Sequence, residues 1–274
     1  MIGTSGYSYA DWVGPVYPSG TRPNQFLEHY ARRFGFTELN FTYYRMPTAD
    51  GLQRIAAKTP DGFRFAVKAH RTLTHDRDAA WSPRIERDAE RFVDAVVALG
   101  GNDGPSRLHG VLLQFPFSFH YTDATRRYLA SLLDALSPLR LFVEFRNTDW
   151  SRASVLRELE RRSVGLVIPD LPRLPGLPVQ QPLLTSDHGY LRFHGRNEAT
   201  WWTGTNVTRY DYLYTDGQLA EWVEPVRALA DRARTVAIAF NNHFEGQAVR
   251  NAEAFAALIA GSRENDDEES SAAR

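Results

Sequence analysis

Glu144 and Arg146 stand two residues apart in the run Leu141-Phe142-Val143-Glu144-Phe145-Arg146, which alternates apolar bulk with charge. Read as a strand, it sets Phe142, Glu144 and Arg146 on one face and Leu141, Val143 and Phe145 on the other. A carboxylate and a guanidinium at the end of such a strand suit acid–base or nucleophilic chemistry on an anion. The same alternation picks Glu38 and Asn40, Lys68 and His70, Gln114, Arg192 and His194, and Asn241 from other strand-like runs, and Asp170 follows one more. Glu144 is then the expected base or nucleophile and His194 its proton-transfer partner. Arg146, Arg192, Arg196 and Lys68 are expected to bind the substrate's charge and stabilise developing negative charge. Asn40, Gln114 and Asn241 would orient it. Two variants remain open: Lys68 as a Schiff-base nucleophile, and glycoside cleavage by Glu38 with Glu144. The structural alternative is a closed ionic network, Glu144 with Arg192 and Glu38 with Lys68, which stabilises no more than apolar packing of equal volume.

These side chains need a scaffold that brings them to one end. Eight strand-like runs are legible: Ile2–Ser5, Thr37–Phe41, Phe63–Ala69, Gly110–Phe115, Arg140–Arg146, Val164–Pro169, Tyr190–His194 and Thr235–Asn241. Segments of helical period lie between most of them, as in Phe26, Leu27, Tyr30, Ala31 and Phe34, or Ile85, Ala89, Phe92, Val93 and Val96. Further helices are expected over Thr122–Leu136, Ser151–Arg162, Asp216–Arg232 (kinked or divided at Pro225) and Asn251–Ala260. Strands alternating with helices imply parallel pairing with right-handed crossovers, and eight units close into a (β/α)8 TIM barrel of the α/β class. One unit departs from the rule. Pro169, Pro172, Pro175, Pro178 and Pro182 forbid a sixth helix, so a Pro-rich loop should replace it and leave that wall thinly covered.

In such barrels, functional groups come from the C-terminal ends of the strands and the loops after them. Aromatic rings crowd those loops: Tyr7, Tyr9, Trp12 and Tyr17, then Tyr43 and Tyr44, then Trp201, Trp202, Tyr210, Tyr212 and Tyr214. Rings with polar tips around a charged pocket suit a sugar face or a nucleobase, and Tyr7, Tyr43 and Trp201 join the expected binding set. Gly195-Arg196 and the segment from Asn242 to Gly246 fall where TIM barrels often bind phosphate, with Gly195 letting backbone N–H groups approach an oxyanion.

Taken with the turns that follow them, the strand-like runs resemble the YecE-like family, domain of unknown function seventy-two. The resemblance rests on Ile2-Gly3-Thr4-Ser5-Gly6-Tyr7, Glu38-Leu39-Asn40-Phe41-Thr42-Tyr43-Tyr44-Arg45, Phe65-Ala66-Val67-Lys68 and Leu113-Gln114-Phe115-Pro116. It continues through Glu144-Phe145-Arg146, Arg192-Phe193-His194-Gly195-Arg196, and Asn241-Asn242 with Gly246 and Asn251. It spans residues 1–262 and implies a TIM barrel; it implies no activity.

Composition narrows the classes further. The chain has no cysteine, which excludes disulfides, thiolate ligands and cysteine nucleophiles. No stretch reaches the apolar length of a membrane span, so the expectation is a cytoplasmic protein without a membrane partner. A single domain over residues 1–262 is expected, followed by an acidic, disordered tail over 263–274. That tail carries five acids against two arginines, and removing its −3 from the formal −1 leaves the body at +2. Only Lys58 and Lys68 among 32 basic residues are lysine, and Lys68 lies inside an apolar strand-like run, which argues against surface decoration.

The expected function is a cofactor-independent enzyme acting by acid–base chemistry on an anionic small molecule or phosphate ester. A metal is the alternative, since Glu38, Glu144, Asp170 and His194 are ligands of suitable type for a metal-dependent phosphoesterase or nuclease. Four cations against three carboxylates repel such an ion unless substrate phosphate intervenes. The rival from another class is a non-catalytic protein holding nucleic acid or another ligand, with affinity that falls steeply with salt.

Overall fold

The computed structural model describes residues 1–100, 106–179 and 181–272, with side chains up to residue 261 apart from Asn206. Its centre is a closed barrel of eight parallel strands in chain order: β1 (Ile2–Ser5), β2 (Phe36–Leu39), β3 (Arg64–Lys68), β4 (Leu108–Gln114), β5 (Leu141–Glu144), β6 (Gly165–Asp170), β7 (His188–Phe193) and β8 (Thr235–Phe240). The expected α/β barrel is therefore present, with every strand within three residues of its expected position.

Alternation sorts the side chains into two environments. Outward residues such as Val67, Val111, Val143, Leu191 and Ile238 join the large core beneath the surrounding helices. Inward residues Phe36, Ala66, Leu112, Phe142, Val167, Tyr190, Ala237 and Ala239 form a separate apolar plug. Bulk and absence of bulk are matched there: Phe142 lies between Gly110 and Gly165, where an added Cβ would collide with its ring carbons. Gly165→Ala is accordingly expected to destabilise by about 1–3 kcal/mol, the usual cost of overpacking, read as a lower denaturant midpoint.

The outer ring follows the sequence expectation in most units. Pro83–Val96 starts on a Ser82 cap with Pro83 at its first position, and Asp123–Ala135 starts on a Thr122–Thr125 capping box. Between β7 and β8 the helix is split into Asp216–Ala220 and Val223–Ala230, and Pro225 sits in the first turn of the second piece, where no intrahelical donor is lost. No helix lies between β6 and β7 among the described residues, as the prolines require.

The wall there is nevertheless not bare: Ile168 is 2 % exposed, and the helix pair after β7 presses Trp222 onto Asp170. The proline loop itself folds across the barrel mouth, where Leu171 and Leu177 pack with Trp201. The last helix, Gln247–Ala272, extends into the stretch for which composition predicts disorder. Its alanine, glutamate and arginine content is compatible with helix, and the final two residues lie outside the described set.

Candidate functional site

Above the apolar plug the inward positions turn ionic. Arg192, one turn of alternation beyond Tyr190 on β7, spans the barrel. Its Nε and Nη2 donate to Glu38 Oε2 and Oε1 at 2.8 and 2.7 Å, and Nη1 donates to Glu144 Oε2 at 2.5 Å. Nη2 also reaches Ser5 Oγ at 3.3 Å, and the Tyr190 hydroxyl donates to Glu38 Oε2 at 2.5 Å. Arg146 Nε pairs with the other oxygen of Glu144. Both carboxylates are fully buried.

Burial alone would raise the Glu144 carboxyl, but Arg146, Arg192 and His194 outweigh it and hold the group well below the usual carboxylate range. Such a carboxylate is a poor proton acceptor. His194, also fully buried, is pushed well below its ordinary range by desolvation and by Arg146. Its Nε2 lies 3.1 Å from Glu144 Oε1, and the Asn241 amide lies 3.0 Å from Nδ1. A neutral ring donating to Glu144 and accepting from Asn241 satisfies both contacts. The expected base and its partner therefore form the floor beneath the cavity, where their hydrogen-bonding capacity is spent on each other and on two arginines.

The partners also differ from the expected closed network. Glu144 does pair with Arg192, but Glu38 takes Arg192 and Tyr190 rather than Lys68. Lys68 is left with no ion pair among the described residues. Its Nζ donates to Gln114 Oε1 at 2.9 Å, stands 4.5 Å from the Tyr43 ring centroid and keeps part of its surface open. Desolvation and then the Arg192 charge lower it from the lysine value to about 7, against a weaker pull from Glu38 and Glu144.

The space Lys68 faces is a cavity of about 930 Å³ at the C-terminal mouth of the barrel. Glu38, Asn40, Gln114, Arg146, Arg192 and Asn241 line its charged base, and Tyr7, Tyr43 and Trp201 its walls, as expected. Arg146 retains a free donor edge: Nε and Nη2 are engaged, while Nη1 has no partner among the described residues. Asn40 lines the same base, and its Oδ1 is buried without a partner among the described residues. Phe41, Tyr44 and Trp202 expose 40 %, 66 % and 47 % of their surface around the rim.

Three expected binding residues lie elsewhere. Asp170 closes β6 facing outward, and Arg196 holds it through Nε and Nη2 at 3.0 and 2.8 Å. Tyr214 and Trp222 each donate to the same carboxylate at 2.7 Å. Asn242 ties the chain after β8 to Tyr212 O and Asn251 Oδ1, both at 2.8 Å. The Gly195 N–H, expected to meet an oxyanion, is taken by the Tyr214 hydroxyl at 2.9 Å. These groups bolt the loop after β7 to the outer helices, and none lines the cavity. Conversely, His75, Phe117, Arg209 and His243 do line it, and of these only His243 falls in a segment the sequence marked, Asn242 to Gly246. Among the described residues, no group of three or more histidine, aspartate or glutamate side chains is placed to hold a metal ion.

The whole chain has recognisable relatives. A family model described as "Protein of unknown function DUF72" matches residues 1–273. The UPF0759 protein YunF of Bacillus subtilis is 27 % identical over 270 residues, covering 94 % of each chain. A DUF72 family protein of Thermotoga maritima superposes with a TM-score of 0.84 at 36 % identity, over 94 % of this chain and 98 % of the other. Another from Enterococcus faecalis has a TM-score of 0.81 at 24 % identity, over 94 % of both, and shares the fold.

Proposed function

Because the chain belongs to the DUF72 family of proteins of unknown function, its chemistry has to be argued from its own cavity, and we propose that it is an enzyme performing acid–base chemistry on a small anionic molecule, with Lys68 as the proton-accepting group. One observation carries this reading: a lysine amine without a carboxylate partner among the described residues faces an open cavity beside two guanidinium groups. A lysine held to about 7 is half deprotonated at neutral pH, the condition for efficient proton transfer. Arg146 Nη1 supplies a fixed donor for the substrate's carboxylate or phosphate. Glu38 and Glu144 keep the arginines in place. Glu144→Gln thus tests the scaffold, whereas Lys68→Met tests the chemistry.

Sulfate, which does not titrate near neutrality, is the probe for the anion site. Calorimetry is expected to give binding to the wild type that strengthens as pH falls below about 7, where Lys68 gains its charge. Lys68→Met should weaken that binding about tenfold, roughly 1.4 kcal/mol. No heat with the wild type, or affinity indifferent to both pH and Lys68, would overturn the reading.

A further inference from the structure

We propose that Lys68 is a covalent as well as a proton-transferring group: its amine condenses with the carbonyl carbon of a small oxo acid seated in the mouth cavity. This deepens the acid–base reading and rests on it for the anionic group of the substrate. The chain meets nearly every demand for positive charge with arginine, 30 positions against two, and Lys58 is the other lysine. At the base of this cavity arginine would be the better anion binder, with its planar fork of donors. Only an amine can lose its proton and attack carbon. Its one hydrogen bond among the described residues, to Gln114 Oε1, uses one N–H, and its other surroundings are the Tyr43 ring and the cavity that Lys68 lines.

The surroundings fit an oxo acid. Arg146 Nη1 offers donors for the carboxylate. The neutral amine adds to the carbonyl, forming the C–N bond, and one amine proton passes to the former carbonyl oxygen. Loss of that oxygen as water, with the second amine hydrogen, leaves the imine. Protonation of that imine is favoured by Glu38 and Glu144 and opposed by Arg192, the same balance that acts on the free amine.

Pyruvate with sodium borohydride tests this on the full-length protein. Hydride delivered to the imine carbon fixes the adduct as a secondary amine. Intact mass and peptide mapping should find one reduced pyruvate on Lys68, with Lys58 and the N-terminal amine unlabelled. Sulfate should suppress the labelling, and Lys68→Arg should abolish it while retaining the fold by circular dichroism. Labelling spread equally over Lys58, Lys68 and the N-terminus overturns the imine. So does absence of label when pyruvate competes with sulfate in calorimetry, and that result leaves the anion site standing. If neither pyruvate nor sulfate binds, both readings fall.

Discussion

Arg192→Met is expected to lower stability by about 3–5 kcal/mol, enough to unfold a marginal domain, although it removes a charge that desolvation alone would expel. The reason is what it leaves behind. Glu38 and Glu144 are both fully buried, and Arg192 supplies two charge-assisted bonds to the first and one oxygen's partner to the second. Met leaves both Glu38 oxygens in the interior with only the Tyr190 hydroxyl as partner among the described residues, and leaves Glu144 with Arg146 as its one guanidinium. Arg192→Lys should recover little, because an ammonium cannot bridge both carboxylates with a planar fork. Guanidinium denaturation followed by circular dichroism reads the result. A loss under about 1 kcal/mol, the range of an exposed pair, would mean the network is not closed as described.

Acid should act on the same network. The Glu144 carboxyl is depressed, so its contribution is present above the unfolded carboxylate value and is lost as pH falls through the lower, folded one.

Lys68→Met is expected to do the opposite to stability while impairing function. The amine is depressed in the folded chain to about 7, so between that value and about 10.4 the unfolded chain binds the extra proton. Wild-type stability therefore rises with pH across that window, and below it the folded chain bears the full cost of a buried cation. Desolvation sets this cost, with Arg192 and Arg146 adding to it and Glu38 and Glu144 subtracting. Removing the amine should stabilise by roughly 2–4 kcal/mol at pH 6, with the gain shrinking towards pH 10. Sulfate binding should weaken about tenfold and borohydride labelling should be lost. A group that costs stability and is needed for ligand chemistry is the pattern of a functional site.

The barrel could be read from the chain because period-two alternation recurs eight times between helical stripes, and Pro169 to Pro182 mark the missing helix directly. The same alternation placed Glu38, Lys68, Gln114, Glu144, Arg146, Arg192, His194 and Asn241 at one end correctly. Asp170 is expected only as the residue following strand six, and β6 in fact runs one residue further than its apolar run to include it. With Val167 inside, Pro169 takes the inward slot and Asp170 the outward one. Alternation also says nothing of reach across the barrel. Glu38 had Lys68 on the neighbouring strand as its obvious partner, yet Arg192, 154 positions away, reaches past Ser5 to take both oxygens. That exchange strands Lys68, and no local pattern announces it. His75, Arg209 and His243 reach the cavity from segments between the strands whose paths depend on tertiary packing.

Two lysines make the central claim measurable without ambiguity. A carbon-13 NMR titration of the protein labelled at lysine Cε gives two signals, and Lys68→Met identifies which belongs to Lys68. That signal is expected to titrate near pH 7 and to shift when sulfate is added. A Lys68 signal that stays in its protonated position until about pH 10, the ordinary lysine range, would contradict a depressed amine at the base of the cavity.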